Sequence, residues 1–67
     1  MNIVVNNTPE SVSSSQKLYD LLLRHELSEK QGIAVAVNNA IVPKADWGTK
    51  ELFENDKVTI LLATQGG

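Results

Sequence analysis

The sequence predicts a small α+β domain, a mixed sheet of four to five strands covered on one face by a single helix. Three observations carry that expectation. Only one segment, around Leu18 to Leu23, repeats its apolar residues at helical spacing. Several short β-branched runs are separated by Asn, Pro and Gly turn signals. The length of 67 residues leaves room for one core, because a chain near this size buries only about 60% of the surface it exposes when unfolded.

In chain order, Ile3, Val4 and Val5 make a β-prone run from Asn2 to Asn6, closed by Asn7-Thr8-Pro9, where Asn accepts turn geometry and Pro9 cannot donate to a ladder. A return strand of about Glu10 to Ser13 carries one apolar residue, Val12, as expected of an edge that must not recruit another sheet. Ser13 with Gln16 three residues later fits a capping box, with Ser14 or Ser15 as alternative caps, so a helix is predicted to start here. Leu18, Leu21 and Leu22 stand at i, i+3 and i+4, widened by Tyr19 and Leu23, and carry the helix to about His25. Leu27 anchors the exit, and a polar run ending at Gly32 breaks the helical pattern.

Ile33, Val35 and Val37 share one face of the next strand and Ala34 and Ala36 the other, which predicts a central strand buried on both sides or nearly so. Asn38-Asn39 makes a two-residue turn into a short strand, Ala40-Ile41-Val42, stopped by Pro43. Lys44 to Phe53 has no clear period, and Trp47, Leu52 and Phe53 are read as plugs for the open end of the core. Glu54-Asn55-Asp56 then turns the chain into a final apolar strand, Lys57 to Ala63.

Composition narrows the function. A catalytic pocket of the usual roughly 300 to 1,000 Å³ would hollow out most of so small an interior, so a self-contained enzyme is not expected. The absence of cysteine removes both a disulfide framework and thiolate ligands, and fits a reducing compartment such as the cytoplasm. A net charge of −2 with scattered Lys and Arg offers no basic stripe for nucleic acid. No basic-then-apolar leader opens the sequence and no apolar run approaches about 18 residues, so a soluble protein away from the membrane is expected. His25, the sole histidine, is placed at a helix C-terminus where its ring meets free carbonyls, and no metal site can be assembled around it.

The functional weight falls on Thr64-Gln65-Gly66-Gly67, a tail of residues 64–67 on a domain of residues 1–63. Two glycines have no side chain to pack and tolerate extended or positive-φ backbone, so they suit a chain that threads a narrow slot. Four extended residues reach at most roughly 14 Å, enough to enter another protein while the domain docks outside, and the Gly67 carboxylate becomes the functional group. Alternation along the last strand sets Leu61 and Ala63 on the face away from the helix with Ala34 and Ala36, an apolar area beside the tail that reads as a docking surface.

Several local signatures coincide in this order of strand, strand, helix, strand, strand, strand. They are the opening Ile3-Val4-Val5-Asn6, the segment Val37-Asn38 followed by Ile41-Val42-Pro43-Lys44 and Trp47, the turn Asn55-Asp56-Lys57-Val58, and Gly66-Gly67. Through them the whole chain resembles the ThiS family of sulfur carriers of thiamine biosynthesis, which have a β-grasp, ubiquitin-like fold. The Ile-Val-Pro-basic segment with Trp47 is the most specific. It separates the chain from the similar small subunit of molybdopterin synthase, which is usually longer and carries prolines shortly before its glycines. Asn7 stands where family members often have Gly or Asp, and Ser14-Ser15 where a Gly is common.

The resemblance implies a route for the tail. A ThiF-type adenylating enzyme would use ATP and magnesium to convert the Gly67 carboxylate to an acyl-adenylate. A cysteine desulfurase relay would deliver sulfur to make a thiocarboxylate, and thiazole synthase, ThiG, would take that sulfur into the thiazole ring. The carrier would be a co-substrate with no catalytic residue, bound cofactor or metal of its own. Two other readings stay open at this point: a ubiquitin-like modifier joined through Gly67 to lysines of its targets, and a plain binding module whose glycines are inert.

Overall fold

Asparagine sets the turns of this chain. Asn6, Asn7, Asn38, Asn39 and Asn55 all hold positive φ, from 49° to 71°, a region that a short polar side chain enters at less cost than most others. The structure, a computed structural model, describes residues 1–62; Ala63 and the predicted tail lie outside the described residues. The first asparagine pair joins β1 (Asn2–Val5) to β2 (Thr8–Ser11), and the second joins β3 (Ile33–Val37) to β4 (Ala40–Ile41). Two successive residues at positive φ twist the backbone in the sense that antiparallel strands need. β5 (Lys57–Leu62) follows the turn at Asn55.

The five strands form one sheet in the order β2-β1-β5-β3-β4. β1 runs parallel to β5 and the other three pairings are antiparallel. The one α-helix among the described residues, α1 (Leu18–Arg24), contributes Leu18, Leu21 and Leu22 to the core, all fully buried. They cluster with Ile3 and Val5 of β1, Val35 and Val37 of β3, and Val58 of β5. Each such aliphatic side chain contributes about 1.5 to 3 kcal/mol when it leaves water. This is the β-grasp arrangement, and the period-two reading of β3 and the Asn38-Asn39 turn agree with it.

The first hairpin is tighter than predicted. Its turn is Asn6-Asn7 and Pro9 lies inside β2, opposite Val4. Val4 sends its N–H the other way, to the Asp56 carbonyl at 2.9 Å. Pro9 therefore occupies a non-hydrogen-bonded position on an edge strand, where its missing N–H costs nothing.

The helix also starts later than the serine run suggests. Ser13 Oγ donates to Gln16 Oε1 at 2.8 Å, but the residue preceding the first turn is Lys17. The free N–H groups of that turn are met by a distant segment: Leu18 donates to the Lys50 carbonyl at 2.8 Å and Tyr19 to the Trp47 carbonyl at 3.0 Å. Leu52 donates back to the Gln16 carbonyl at 3.0 Å. Residues 43–52 thus cap the helix with main chain, removing the need for a serine cap.

That segment includes a short 3-10 turn, Lys44–Asp46, and delivers Trp47 and Leu52 to the core, each 3% exposed. The indole N–H of Trp47 donates to the Val42 carbonyl at 3.0 Å. Phe53, predicted as a third plug, is instead 61% exposed. Its neighbour Leu52 fills the site, and the main-chain N–H of Phe53 is held by Asp56 Oδ2 at 2.8 Å, which turns the ring outward. At its other end the helix finishes at Arg24 with His25 as its C-cap, in agreement with the predicted end near His25, and Glu26 follows at φ 62°.

Two substitutions separate capping by main chain from capping by serine. Ser13→Ala is expected to cost less than about 0.5 kcal/mol in urea unfolding, against about 1 kcal/mol for a true cap. Leu52→Ala is expected to cost about 2 to 5 kcal/mol, because it empties a core site and loosens the segment that caps the helix.

Candidate functional site

β5 is the last described element, so its two faces decide what surrounds the predicted tail. Its pairing with β3 sets Leu61 opposite Ala34 and Thr59 opposite Ala36, all on the face away from α1, while Val58, Ile60 and Leu62 point towards the helix side. Leu61 is 56% exposed and Ala34 half-buried. Ala36, by contrast, is nearly buried at 8%, because a methyl group in an interior strand is shaded by larger neighbours. It therefore supplies backing rather than surface on this face. Ala63, Thr64, Gln65, Gly66 and Gly67 lie outside the described residues.

The sequence reading misses Ile41. It stands opposite Ala36 on β4 and is 64% exposed, so it extends the same face beyond Ala34 and Leu61. The signal was present: a two-residue turn at Asn38-Asn39 pairs Val37 with Ala40, and the next pair outward is Ala36 with Ile41.

On the other face, the end of β5 borders a groove of about 380 Å³. Val5, Leu27, Ile60 and Leu62 give it an apolar lining, and Asn6, Thr8, Glu10 and His25 a polar wall. Leu62 is 62% exposed, since β1 ends below it and α1 does not reach it. Asn6 closes the β1–β5 ladder at this point. Its N–H donates to the Val58 carbonyl at 2.9 Å, and its Oδ1 accepts the Ile60 N–H at 2.8 Å. With φ at 49° the Asn6 carbonyl has left the strand direction, and the side-chain oxygen takes its place.

The wall of the groove is tied to the helix end. His25 Nε2 lies 2.9 and 3.1 Å from the two oxygens of Glu10. Arg24 adds Nε at 3.5 Å from Glu10 and donates through Nη1 to the Ser11 carbonyl at 3.1 Å. The predicted contact of His25 with free helix carbonyls is not made. Those carbonyls are already taken, Leu21 by the His25 N–H, Leu22 by Leu27 and Leu23 by Glu26, so the ring turns to the acidic side chain on β2. Among the described residues no group of three or more His, Cys, Asp or Glu could hold a metal ion, and no helix is long and apolar enough to cross a membrane.

A second groove, about 320 Å³, lies at the opposite end of the sheet between Met1, Ser14, Lys17, Glu51 and Phe53. The apolar face, the first groove and the strand that leads to residues 63–67 all converge at the other end. That convergence suits a partner that must hold the domain while it handles the chain beyond Leu62.

Comparison with known proteins gives a consistent result. The sequence profile of the ThiS family matches residues 3–67. The sulfur carrier protein ThiS of Escherichia coli strain K12 is 28% identical over 68 residues, with both chains covered in full. The crystal structure of the thiamine biosynthesis protein ThiS from Geobacter metallireducens superposes with a TM-score of 0.86 at 23% identity, again covering both chains in full. An NMR solution structure of a thiamine biosynthesis protein from the same organism gives 0.79 at 23% identity, covering all of this chain and 88% of that one.

Asn6 is the residue on which the end of the β1–β5 ladder turns, and two variants separate its roles. Asn6→Gly keeps the positive φ and loses the acceptor for Ile60, for an expected cost of about 1 kcal/mol. Asn6→Ala loses both and is expected to cost about 1 to 2 kcal/mol more, measured by denaturant unfolding.

Proposed function

The chain belongs to the ThiS family, and from that membership we propose that it is a sulfur carrier of thiamine biosynthesis whose Gly67 carboxylate bears the sulfur. A carboxylate acylates poorly because its oxygen is a bad leaving group. A ThiF-type adenylating enzyme, using ATP and magnesium, supplies a better one: the carboxylate oxygen attacks the α-phosphorus, pyrophosphate departs, and an acyl-adenylate remains. The terminal sulfur of a persulfide on a cysteine desulfurase relay then attacks the carbonyl carbon and AMP leaves, giving an acyl disulfide; a thiol attacks the relay-side sulfur, supplies the two electrons as it forms a disulfide, and releases the thiocarboxylate. Thiazole synthase, ThiG, consumes it. The chain acts throughout as a co-substrate, and its part in the rate is to hold the reacting carbonyl in a slot rather than leave it to free encounter.

The observation that carries this reading is that the family match runs through residue 67 and so includes both glycines. The geometry supports it, since β5 is held between β1 and β3 and leads into residues 63–67 from a fixed direction. Residues 1–63 then serve as the carrying domain and 64–67 as the tail, with Leu61, Ala34 and Ile41 on the face that a partner grips and Ala36 behind them.

Intact mass after incubation with the adenylating enzyme, ATP and a sulfur source tests the proposal. The expected product is heavier by the exchange of one oxygen for sulfur, whereas lysine conjugates of higher mass would mark a protein modifier. Deleting Gly67, or adding one residue after it, is expected to abolish that product while the circular dichroism spectrum stays unchanged. Leu61→Glu is expected to weaken binding to the adenylating enzyme about tenfold or more and to alter folding stability by less than about 0.5 kcal/mol.

A further inference from the structure

The two neighbours of β5 part company before it ends. β3 stays paired as far as Ile33 opposite Leu62, whereas β1 pairs only with Lys57 and Val58. The Asn38 N–H meets the Lys57 carbonyl at 2.7 Å, so Lys57, Thr59 and Leu61 turn their main-chain groups to β3. Period two then turns those of Val58, Ile60 and Leu62 towards the β1 side. The Val58 carbonyl and the Ile60 N–H are both satisfied by Asn6. Next in that row come the Ile60 carbonyl and the Leu62 N–H, and neither has a partner in this direction among the described residues. They open beside the groove lined by Val5, Leu27, Ile60 and Leu62.

We infer that this open edge and its groove form a strand-docking site for an extended segment of the enzyme that adenylates Gly67. The inference rests on the sulfur-carrier reading above and adds to it the place and manner of engagement. The chain itself indicates the occupant. Residues 63–67 follow directly on Leu62, and five extended residues span at most about 18 Å. An enzyme closed on Gly67 must bring its surface within that distance of Leu62, which is the end of the sheet where the edge is open. The chemistry on offer there, one carbonyl and one N–H spaced along a strand, is what another extended backbone completes. Alternate side chains of such a segment would face the groove, whose lining selects aliphatic residues. Glu10 and His25 already engage each other at 2.9 Å, leaving the apolar lining as the part that discriminates. Pairing here would extend the grip on β5 past Val58 on both flanks and hold the start of the tail in one register.

The test uses the full chain made by chemical synthesis, with the Leu62 amide replaced by an ester, which removes that N–H and weakens the Leu61 carbonyl that faces β3. A second variant, Thr8→Trp, fills the groove from its exposed rim. Binding to the adenylating enzyme is measured by calorimetry, beside the thermal midpoint of each free chain. The expected result is binding weaker by about fivefold to tenfold for the ester and by at least as much for the tryptophan variant, with the thermal midpoint of the tryptophan variant unchanged. Affinity equal to that of the unaltered chain in either variant overturns the inference. If the unaltered chain is not adenylated at all, the sulfur-carrier reading falls and this inference with it; normal adenylation with undiminished binding of the variants removes this inference alone.

Discussion

The structure depends on the insertion of β5 between β1 and β3. The two hairpins, β1–β2 and β3–β4, never pair with each other; each reaches the rest of the sheet only through β5. Val58, fully buried, stands opposite Val37 on one side and beside Val5 on the other, so a single residue unites the two halves of the core. Since β5 follows the other four described strands in sequence, the sheet closes only once β5 arrives, and the loop entropy of that closure precedes the contacts that reward it. Position along the chain and position in the fold are thus linked: the strand that completes the core is also the one that leads to the glycines.

Much of this was legible because the signals were local. Period two in Ile33–Val37, the leucine stripe of α1 and the Asn38-Asn39 turn each concern neighbours in sequence, and each holds in the structure. The misreadings arose where a distant segment supplied what the local sequence seemed to need. Ser13 and Gln16 look like a helix cap, yet carbonyls of Trp47 and Lys50 meet the first N–H groups of α1. Pro9 looks like a strand stop, but the parallel partner on the far side of β1 makes the Val4–Pro9 pair one that needs no proline N–H. Leu52 and Phe53 look alike to any pattern that asks only for bulk, and which of them enters the core is set by the turn that Asp56 stabilises.

The candidate site divides in the same way. That Leu61 and Ala34 share an outer face follows from alternation and from the register of β3 with β5. That Ala36 is shaded and Ile41 prominent follows from which strand lies at the edge, and strand order is a long-range property. The exposure of Leu62 has a similar origin: it shares the inward face with Val58 and Ile60, and would be core if β1 continued two residues further. β1 stops because Asn6 turns, so an outward leucine on the inner face is the consequence of a turn more than fifty residues away in the chain.

Register ties stability to the place where β5 ends. A slip of β5 by one residue would exchange its faces, exposing Val58 and burying Lys57 and Leu61, and a core this small has little surplus to absorb such an error. The same slip would shift Leu62, the last described residue of β5, by about 3.3 Å along the sheet. The burial of Val58 therefore fixes the place of Leu62 as well. The packing of one valine between Val5 and Val37 sets the register in which β5 ends, with Leu62 opposite Ile33.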